Sequence, residues 1–269
     1  MFPYEILPGT GIDLYVIFLA LGVIAAIVTF SKLSEKLNFE ARVHNFVLYT
    51  TIASIVLGYG SAVLFQAFYN IAEIGRFEIN QSTGATFYGG LIGGASVFLA
   101  IYFGIGHFLF TDKANVKRFL DLANCAAPAI AIAHSLGRLG CLSAGCCHGS
   151  VTDKWYGIYM VALGSKVVPI QLFESLFLMG LFAFFVYRVI KGKNYNLPLY
   201  MIIYGVWRFF IEYLRTDYRG TTFVSTLTPS QLTAVFMIVG GVALAFFFSF
   251  LLKRRNHTEN TVTEGEDNE

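Results

Sequence analysis

Apolar residues fall into seven long blocks separated by short polar stretches, at roughly 12–30, 46–69, 87–110, 119–138, 168–190, 197–214 and 231–252. A block near 20 residues is long enough to cross a hydrocarbon core of roughly 30 Å. Lipid offers the backbone no hydrogen-bond partners, so each block is predicted to be a helix. The expected fold is an all-α polytopic membrane protein with about seven transmembrane helices, forming one domain over residues 1–255. The one sizeable connection is expected at about 139–167, and the polar, acidic residues 256–269 are expected to be a disordered tail. No internal repeat is visible.

Composition sharpens this picture. The chain is 56% hydrophobic and only 13% charged, against roughly a quarter charged in soluble domains. Its mean hydropathy is +0.62, which excludes an ordinary soluble domain. The opening Met1-Phe2-Pro3-Tyr4-Glu5 has no basic stretch before the apolar run, so the first span is expected to be retained rather than cleaved. The net charge of +2 says little, but the placement of charge says more. With the N-terminus outside and the C-terminus cytoplasmic, twelve Lys and Arg lie on the inner side. Only Arg76, Lys154, Lys166, Arg215 and Arg219 lie on the outer side. Basic loops favour the cytoplasm, so this orientation is predicted, with the 139–167 segment outside. Nothing suggests a nucleic-acid partner, a nucleotide site or a bound organic cofactor.

Charge within a bilayer costs roughly 2.5–3.5 kcal/mol at a helix centre. Arg138 at the end of the fourth span, Glu174 one turn into the fifth, and Arg208 with Glu212 in the sixth therefore need a reason. All four fall toward the outer side. Arg208 and Glu212 are four residues apart and share a helical face. Interhelical salt bridges that fix the bundle are one explanation. A polar site that binds an anion is the other, since the guanidinium fork suits phosphate and phospholipid headgroups lie at this depth. Gly89-Gly90 and Gly93-Gly94, opening the third span, allow either close helix packing or close backbone approach to a ligand. Tyr15 in the first span can reach a headgroup or serve as an interfacial aromatic. His134, one turn before Arg138, can line the same site or pack as a hydrogen-bonded core residue.

The densest local signal is Gly137-Arg138-Leu139-Gly140-Cys141-Leu142-Ser143-Ala144-Gly145-Cys146-Cys147-His148-Gly149. Its glycines permit tight turns and exposed N–H groups able to cradle an anion. Its thiols are potential nucleophiles beside Arg and His. A disulfide between Cys146 and Cys147, or Cys141 and Cys147, is a structural alternative. Adjacent cysteines rarely ligate one tetrahedral ion together, so no metal is expected.

These residues resemble the bacterial prolipoprotein diacylglyceryl transferase family over about residues 10–250. The resemblance rests on Tyr88-Gly89-Gly90-Leu91-Ile92-Gly93, Gly137-Arg138-Leu139-Gly140, Pro169-Ile170-Gln171-Leu172-Phe173-Glu174 and Tyr204-Gly205-Val206-Trp207-Arg208-Phe209-Phe210-Ile211-Glu212. It implies seven spans with the N-terminus outside and a multi-pass protein of the bacterial plasma membrane. The implied reaction moves the diacylglyceryl group of phosphatidylglycerol onto a lipoprotein cysteine thiol, with glycerol phosphate leaving. It implies that Arg138 and Arg208 contact the lipid phosphate, and that Gln171, Glu174, Glu212 and Gly149 line the same site. The family has histidine where this chain has Tyr88, asparagine at Cys141, usually an acidic residue at Cys146, and histidine at Val168.

Phosphate must be stabilised as it leaves, a task for the two arginines, and the attacking thiol must lose a proton to a base. The candidate bases are Glu212, Glu174, His148 and Tyr88. Three readings follow: direct transfer to a lipoprotein thiol; transfer to another acceptor, with Cys146 or Cys147 as nucleophile and His148 as its base; or a non-catalytic lipid-binding or scaffold protein. The expected site thus comprises Tyr88, Glu212, Cys146, Cys147 and His148 for chemistry, with Tyr15, Gly89, Gly90, Arg138, Cys141, Gly149, Gln171, Glu174 and Arg208 for substrate.

Overall fold

The structure, a computed structural model, describes residues 13–80, 83–215 and 226–266. Seven helices are long and apolar enough to cross a membrane: Leu14–Lys36, Ala41–Ile71, Tyr88–Leu109, Phe119–Ala144, Ile170–Ile190, Asn196–Leu214 and Pro229–Arg254. Each apolar block of the sequence corresponds to one of them. Many outward apolar side chains, such as Phe68, Phe108 and Phe246, are largely exposed, as lipid-facing residues are. The chain forms two compact units, Met1–Leu33 with Leu120–Glu269, and Ser34–Phe119.

The first unit is built from α1 (Leu14–Lys36), α6 (Phe119–Ala144), α7 (Ile170–Ile190), α8 (Asn196–Ile211) and α9 (Pro229–Glu266). Asp13 caps α1 by accepting from the Val16 N–H at 2.9 Å. The start of α9 is a capping box, Thr228-Pro229-Ser230-Gln231. Gln231 N–H donates to Thr228 Oγ1 at 3.2 Å, and Thr228 N–H donates to Gln231 Oε1 at 3.1 Å. Consecutive spanning helices alternate in direction. The end of α6, the start of α7, the end of α8 and the start of α9 therefore meet at one end of this unit. At the opposite end of the unit Arg188 donates to Asn196 Oδ1 at 2.8 Å and to the Asn194 carbonyl at 2.7 Å. Between the two ends Ala127, Ala131, Leu178, Phe185 and Tyr204 form an apolar core. Ser135 Oγ donates to the Ser175 carbonyl at 2.9 Å, joining α6 to α7.

Two element boundaries differ from the sequence reading. The connection expected to begin at 139 begins later, because α6 continues through the Gly-Cys segment to Ala144. Leu139, Cys141, Leu142 and Ala144 carry the helix on, and Gly145, at φ +73°, stops it in the left-handed conformation favoured at helix C-termini. The rest of the connection contains a short antiparallel hairpin, β1 (Ile158–Met160) and β2 (Ser165–Val167), with Tyr159 opposite Lys166. At the other end of the chain, α9 continues to Glu266, into the segment expected to be disordered.

The second unit centres on α2 (Ala41–Ile74) and α3 (Phe87–Leu99). A π-helical turn (Ala100–Ile105), α4 (Gly106–Leu109) and α5 (Ala114–Lys117) complete it. Its helices approach closely through glycine. A Cβ on Gly89 would lie 2.6 Å from Phe65 Cβ, and one on Gly93 would lie 2.3 Å from Ser61 Cβ. Ser61 Oγ donates to the Gly89 carbonyl at 3.0 Å, and Thr86 Oγ1 donates to Gln66 Oε1 at 2.6 Å. Of the two roles open to Gly89 and Gly90, the structure displays the packing one: both face α2, Gly90 against Ala62. Gly93→Ala is expected to destabilise the protein by about 1–3 kcal/mol through overpacking, read as a lower midpoint of thermal unfolding in detergent. Gly60→Ala, with open space around it, is expected to leave that midpoint in place.

Candidate active site

Two ion pairs organise the end of the first unit where α6 and α8 finish. Arg138 Nε lies 3.0 Å from Glu174 Oε2, joining α6 to α7. Arg208 Nη2 lies 2.9 Å from Glu212 Oε2, one turn apart on α8 and the 3₁₀ turn that follows it. Glu174 is fully buried, and Arg208 and Glu212 are nearly so. Arg208 is also within electrostatic reach of Glu174, so the pairs form one charged cluster.

Hydrogen bonds hold each partner. Tyr204 O–H donates to Glu174 Oε1 at 2.5 Å. That direction leaves the Tyr204 oxygen to accept from His134 Nε2–H at a long 3.4 Å, with Tyr200 O–H donating to Nδ1 at 3.0 Å. His134 therefore takes the packed, hydrogen-bonded role of its two alternatives. Arg208 Nη2 donates to Ser230 Oγ at 2.8 Å, and Thr228 O–H donates to Glu212 Oε1 at 3.2 Å. The capped start of α9 thus completes the second pair. Trp207 stacks on Phe177 at 4.0 Å between ring centroids.

The sequence reading missed Arg215, which it counts among the outer loop charges. Its side chain is only 2% exposed, and its Nε lies 3.9 Å from Glu212 Oε2. A signal was present: Arg208, Glu212 and Arg215 follow the i, i+4, i+7 spacing of one helical face. Three guanidinium groups, of Arg138, Arg208 and Arg215, thus lie beside the carboxylates of Glu174 and Glu212. Arg208 Nη1 and Gln171 Oε1 are buried with no hydrogen-bond partner among the described residues. Buried polar atoms are rarely left unpaired, and an anionic, hydroxyl-bearing ligand would satisfy both.

The loop after α6 brings the thiols together. Cys141, in the last turn of α6, and Cys146 and Cys147, beyond Gly145, place all their Sγ atoms within 4.8 Å of one another. No disulfide joins the described cysteines. Cys147 has φ +62°, a conformation costing about 1–3 kcal/mol in a residue with a side chain. This turn reverses the chain, so that neighbouring side chains converge. Hydrogen bonds from Cys141 and Cys146, together with the Arg215 guanidinium, hold the Cys147 thiol well below its ordinary range. The Cys146 thiol is held above it by the sulfurs of Cys141 and Cys147, and also lies 3.6 Å from the Cys141 carbonyl as donor.

The anion cradle expected from the loop glycines does not form at Gly145, Cys146, Gly149 or Ser150. Their N–H groups donate to the carbonyls of Leu142, Cys141, Val168 and Leu214 respectively. Gly149 is there for space: a Cβ would lie 2.8 Å from both Ile170 Cδ1 and the Leu214 oxygen. Gln171 Nε2 donates to the Cys146 carbonyl, pinning the loop to α7. His148 Nδ1–H donates to the Gly149 carbonyl at 2.9 Å, leaving the Nε2 lone pair as the basic position. Tyr15 packs over Gly140, whose added Cβ would meet its ring at 3.2 Å, and lies within electrostatic reach of all three thiols.

The structure therefore gathers Tyr15, Arg138, Cys141, Cys146, Cys147, His148, Gly149, Gln171, Glu174, Arg208 and Glu212 at one end of one unit. Tyr88, Gly89 and Gly90 open α3 in the other unit, where Tyr88 is 37% exposed. Removing one partner of a buried pair leaves the other charge uncompensated. Glu174→Ala is accordingly expected to lower stability by about 3–5 kcal/mol. The double variant Arg138→Met/Glu174→Leu is expected to recover most of that loss, as replacement of a whole buried pair often does. Thermal unfolding of both variants checks this, and equal destabilisation of the two would show that the pair is not what holds α6 to α7.

The chain is similar to known proteins along nearly all of its length. A family profile described as prolipoprotein diacylglyceryl transferase matches residues 4–247. A phosphatidylglycerol–prolipoprotein diacylglyceryl transferase 2 of Clostridium perfringens is 33% identical over 244 residues, covering 88% of this chain and 91% of that one. Phosphatidylglycerol–prolipoprotein diacylglyceryl transferases of Clostridium tetani and Finegoldia magna are each 32% identical. Each covers 87% of this chain, and the matches span 92% and 91% of their own lengths. Matched along nearly its whole length, and carrying its buried charges on the spans where that likeness runs, the chain belongs to the prolipoprotein diacylglyceryl transferase family.

Proposed function

We propose that this protein, in the bacterial plasma membrane, transfers the diacylglyceryl group of phosphatidylglycerol to the cysteine thiol of a lipoprotein precursor. The observation that carries the reading is the buried arginine cluster, in which Arg208 Nη1 has no hydrogen-bond partner among the described residues. A phosphodiester carries one negative charge and supplies the missing acceptors. With the N-terminus outside, the cluster lies at the outer face, at headgroup depth.

In this reading Arg138 and Arg208 hold the phosphate, with Arg215 beside them. The acceptor sulfur attacks the terminal glyceryl carbon of the diacylglyceryl group. A carbon–sulfur bond forms, the carbon–oxygen bond to phosphate breaks, and its electron pair goes to the departing glycerol phosphate. Preorganised donors stabilise that developing charge, each worth about 2.7–4 kcal/mol. Glu174 and Glu212 are committed to guanidinium groups and position them. His148 Nε2, with no hydrogen-bond partner among the described residues, is the base that takes the thiol proton. Tyr15 and Gln171 border the acceptor side.

A lipid-bound cysteine intermediate is not favoured. Alkylated Cys146 or Cys147 would be a thioether, whose sulfur is no better a leaving group than the acceptor's own, so the enzyme would be trapped. A purely structural role for the cluster is not favoured either, since intramembrane charge marks function by default.

Vesicles containing labelled phosphatidylglycerol, a lipobox peptide and the purified protein test the reading by mass spectrometry. The expected product is a thioether-linked diacylglyceryl peptide. Arg208→Ala is expected to slow its formation by about 10²–10³-fold, and Arg208→Lys by less, because it keeps the charge and loses the fork. An Arg208→Ala rate equal to wild type, in correctly inserted protein, would sink the assignment.

A further inference from the structure

The three thiols have no part in the reaction as derived above, yet the fold goes to some trouble to gather them. Cys141 comes from the end of α6, and Cys146 follows a left-handed Gly145. Cys147 is itself left-handed, so two adjacent side chains point to the same place. Adjacent cysteines diverge in ordinary backbone, and it is this turn that makes a common ligand possible. The sulfurs lie within 4.8 Å of one another. Zinc–thiolate bonds of about 2.3 Å place sulfurs roughly 3.8 Å apart in a tetrahedron, a distance within reach of side-chain rotation. Three thiols also exceed what one disulfide uses.

The surroundings suit a metal–thiolate centre. Arg215 reaches Cys147, and Arg138 lies within electrostatic reach of Cys141, so positive charge offsets three thiolates. Gln171 holds the Cys146 carbonyl, orienting that ligand from outside the coordination sphere, as such partners do. Cys146 is exposed and Cys141 and Cys147 are half-buried, leaving a path of entry. No described His, Asp or Glu joins the trio as a fourth ligand. Three protein ligands with an open fourth position mark catalytic rather than structural zinc.

We propose that Cys141, Cys146 and Cys147 bind one zinc ion whose fourth position takes the acceptor cysteine of the lipoprotein precursor as a thiolate. The proposal rests on the transferase reading and supplies the step that reading leaves hardest. A free thiol near pKa 8.5 is only a few per cent ionised at neutral pH. A zinc-bound thiol is deprotonated outright, its proton passing to solvent. The zinc-held sulfur then forms its bond to the glyceryl carbon as the carbon–oxygen bond to phosphate breaks. The neutral thioether product binds zinc more weakly and leaves.

The test uses full-length protein, purified reduced and placed in phosphatidylglycerol vesicles. After dialysis against zinc chloride alone, elemental analysis is expected to show one zinc per chain. Cys141→Ser, Cys146→Ser and Cys147→Ser are expected to lower it at least tenfold. With cobalt in place of zinc, a thiolate-to-metal charge-transfer band is expected. Its ligand-field bands should shift on adding a lipobox peptide with cysteine, and stay still with the serine peptide. Stripping the metal should slow transfer at pH 7 by roughly thirtyfold, since a free thiol is only about 3% ionised there. Raising the pH to about 9 should restore most of the rate.

Reduced wild-type protein that takes up no zinc overturns the proposal without reliance on any variant. So does cobalt-loaded protein that ignores the cysteine peptide. Transfer that is unchanged after stripping also overturns it, and leaves the transferase reading standing. No transfer under any metal condition, from protein that a family member outperforms in the same vesicles, overturns both.

Discussion

Charge buried among membrane-spanning helices is the constraint on which the rest of this structure depends. Arg138, Glu174, Arg208 and Glu212 lie on segments that must cross lipid, where an isolated charge is heavily penalised. Pairing relieves the penalty only when the remaining polar atoms are also met. That requirement explains the company these residues keep. Tyr204, His134 and Tyr200 form a directed hydrogen-bond chain behind Glu174. The capping box of α9 delivers Ser230 to Arg208 and Thr228 to Glu212. One helix start therefore serves two purposes, ending its own unmet N–H groups and completing a charged site.

The cluster keeps a buried donor without a partner among the described residues, and that feature links fold to the proposed function. Arg215 adds a third guanidinium beside Glu212, and Arg208 keeps a buried donor in reserve. A bundle built only for stability gains nothing from either feature, since apolar residues would pack as well. In the proposed reading, a phosphodiester from the membrane would use both. The same end of the unit carries the loop of Cys146, Cys147 and His148, so the arginines and the thiols are adjacent. Arg215 touches both groups.

The glycines illustrate two different uses of a missing side chain. In α3, Gly89 and Gly93 let Phe65 and Ser61 of α2 approach to distances that no Cβ would allow. At Gly149 the same lack lets three strands of chain meet, from the loop, the start of α7 and the end of α8. At Gly145 the benefit is conformational, a positive φ that ends α6.

Much of this was legible in the chain itself. Hydropathy and the hydrogen-bond needs of a backbone in lipid determined seven helices, because both are local properties. Alternation of spans then put Arg138, Glu174, Arg208 and Glu212 at one end, and helical spacing paired Arg208 with Glu212. Only the tertiary structure decided which helices share a charge, as with Arg138 and Glu174, because partner choice depends on the rotation and depth of each helix. It likewise decided that Arg215 is buried rather than a loop charge, and that loop N–H groups are engaged rather than offered to an anion. The convergence of Cys141, Cys146 and Cys147 was hidden for a related reason. It turns on a left-handed backbone at Cys147, a conformation that the surrounding packing imposes and no residue-type preference for cysteine foretells.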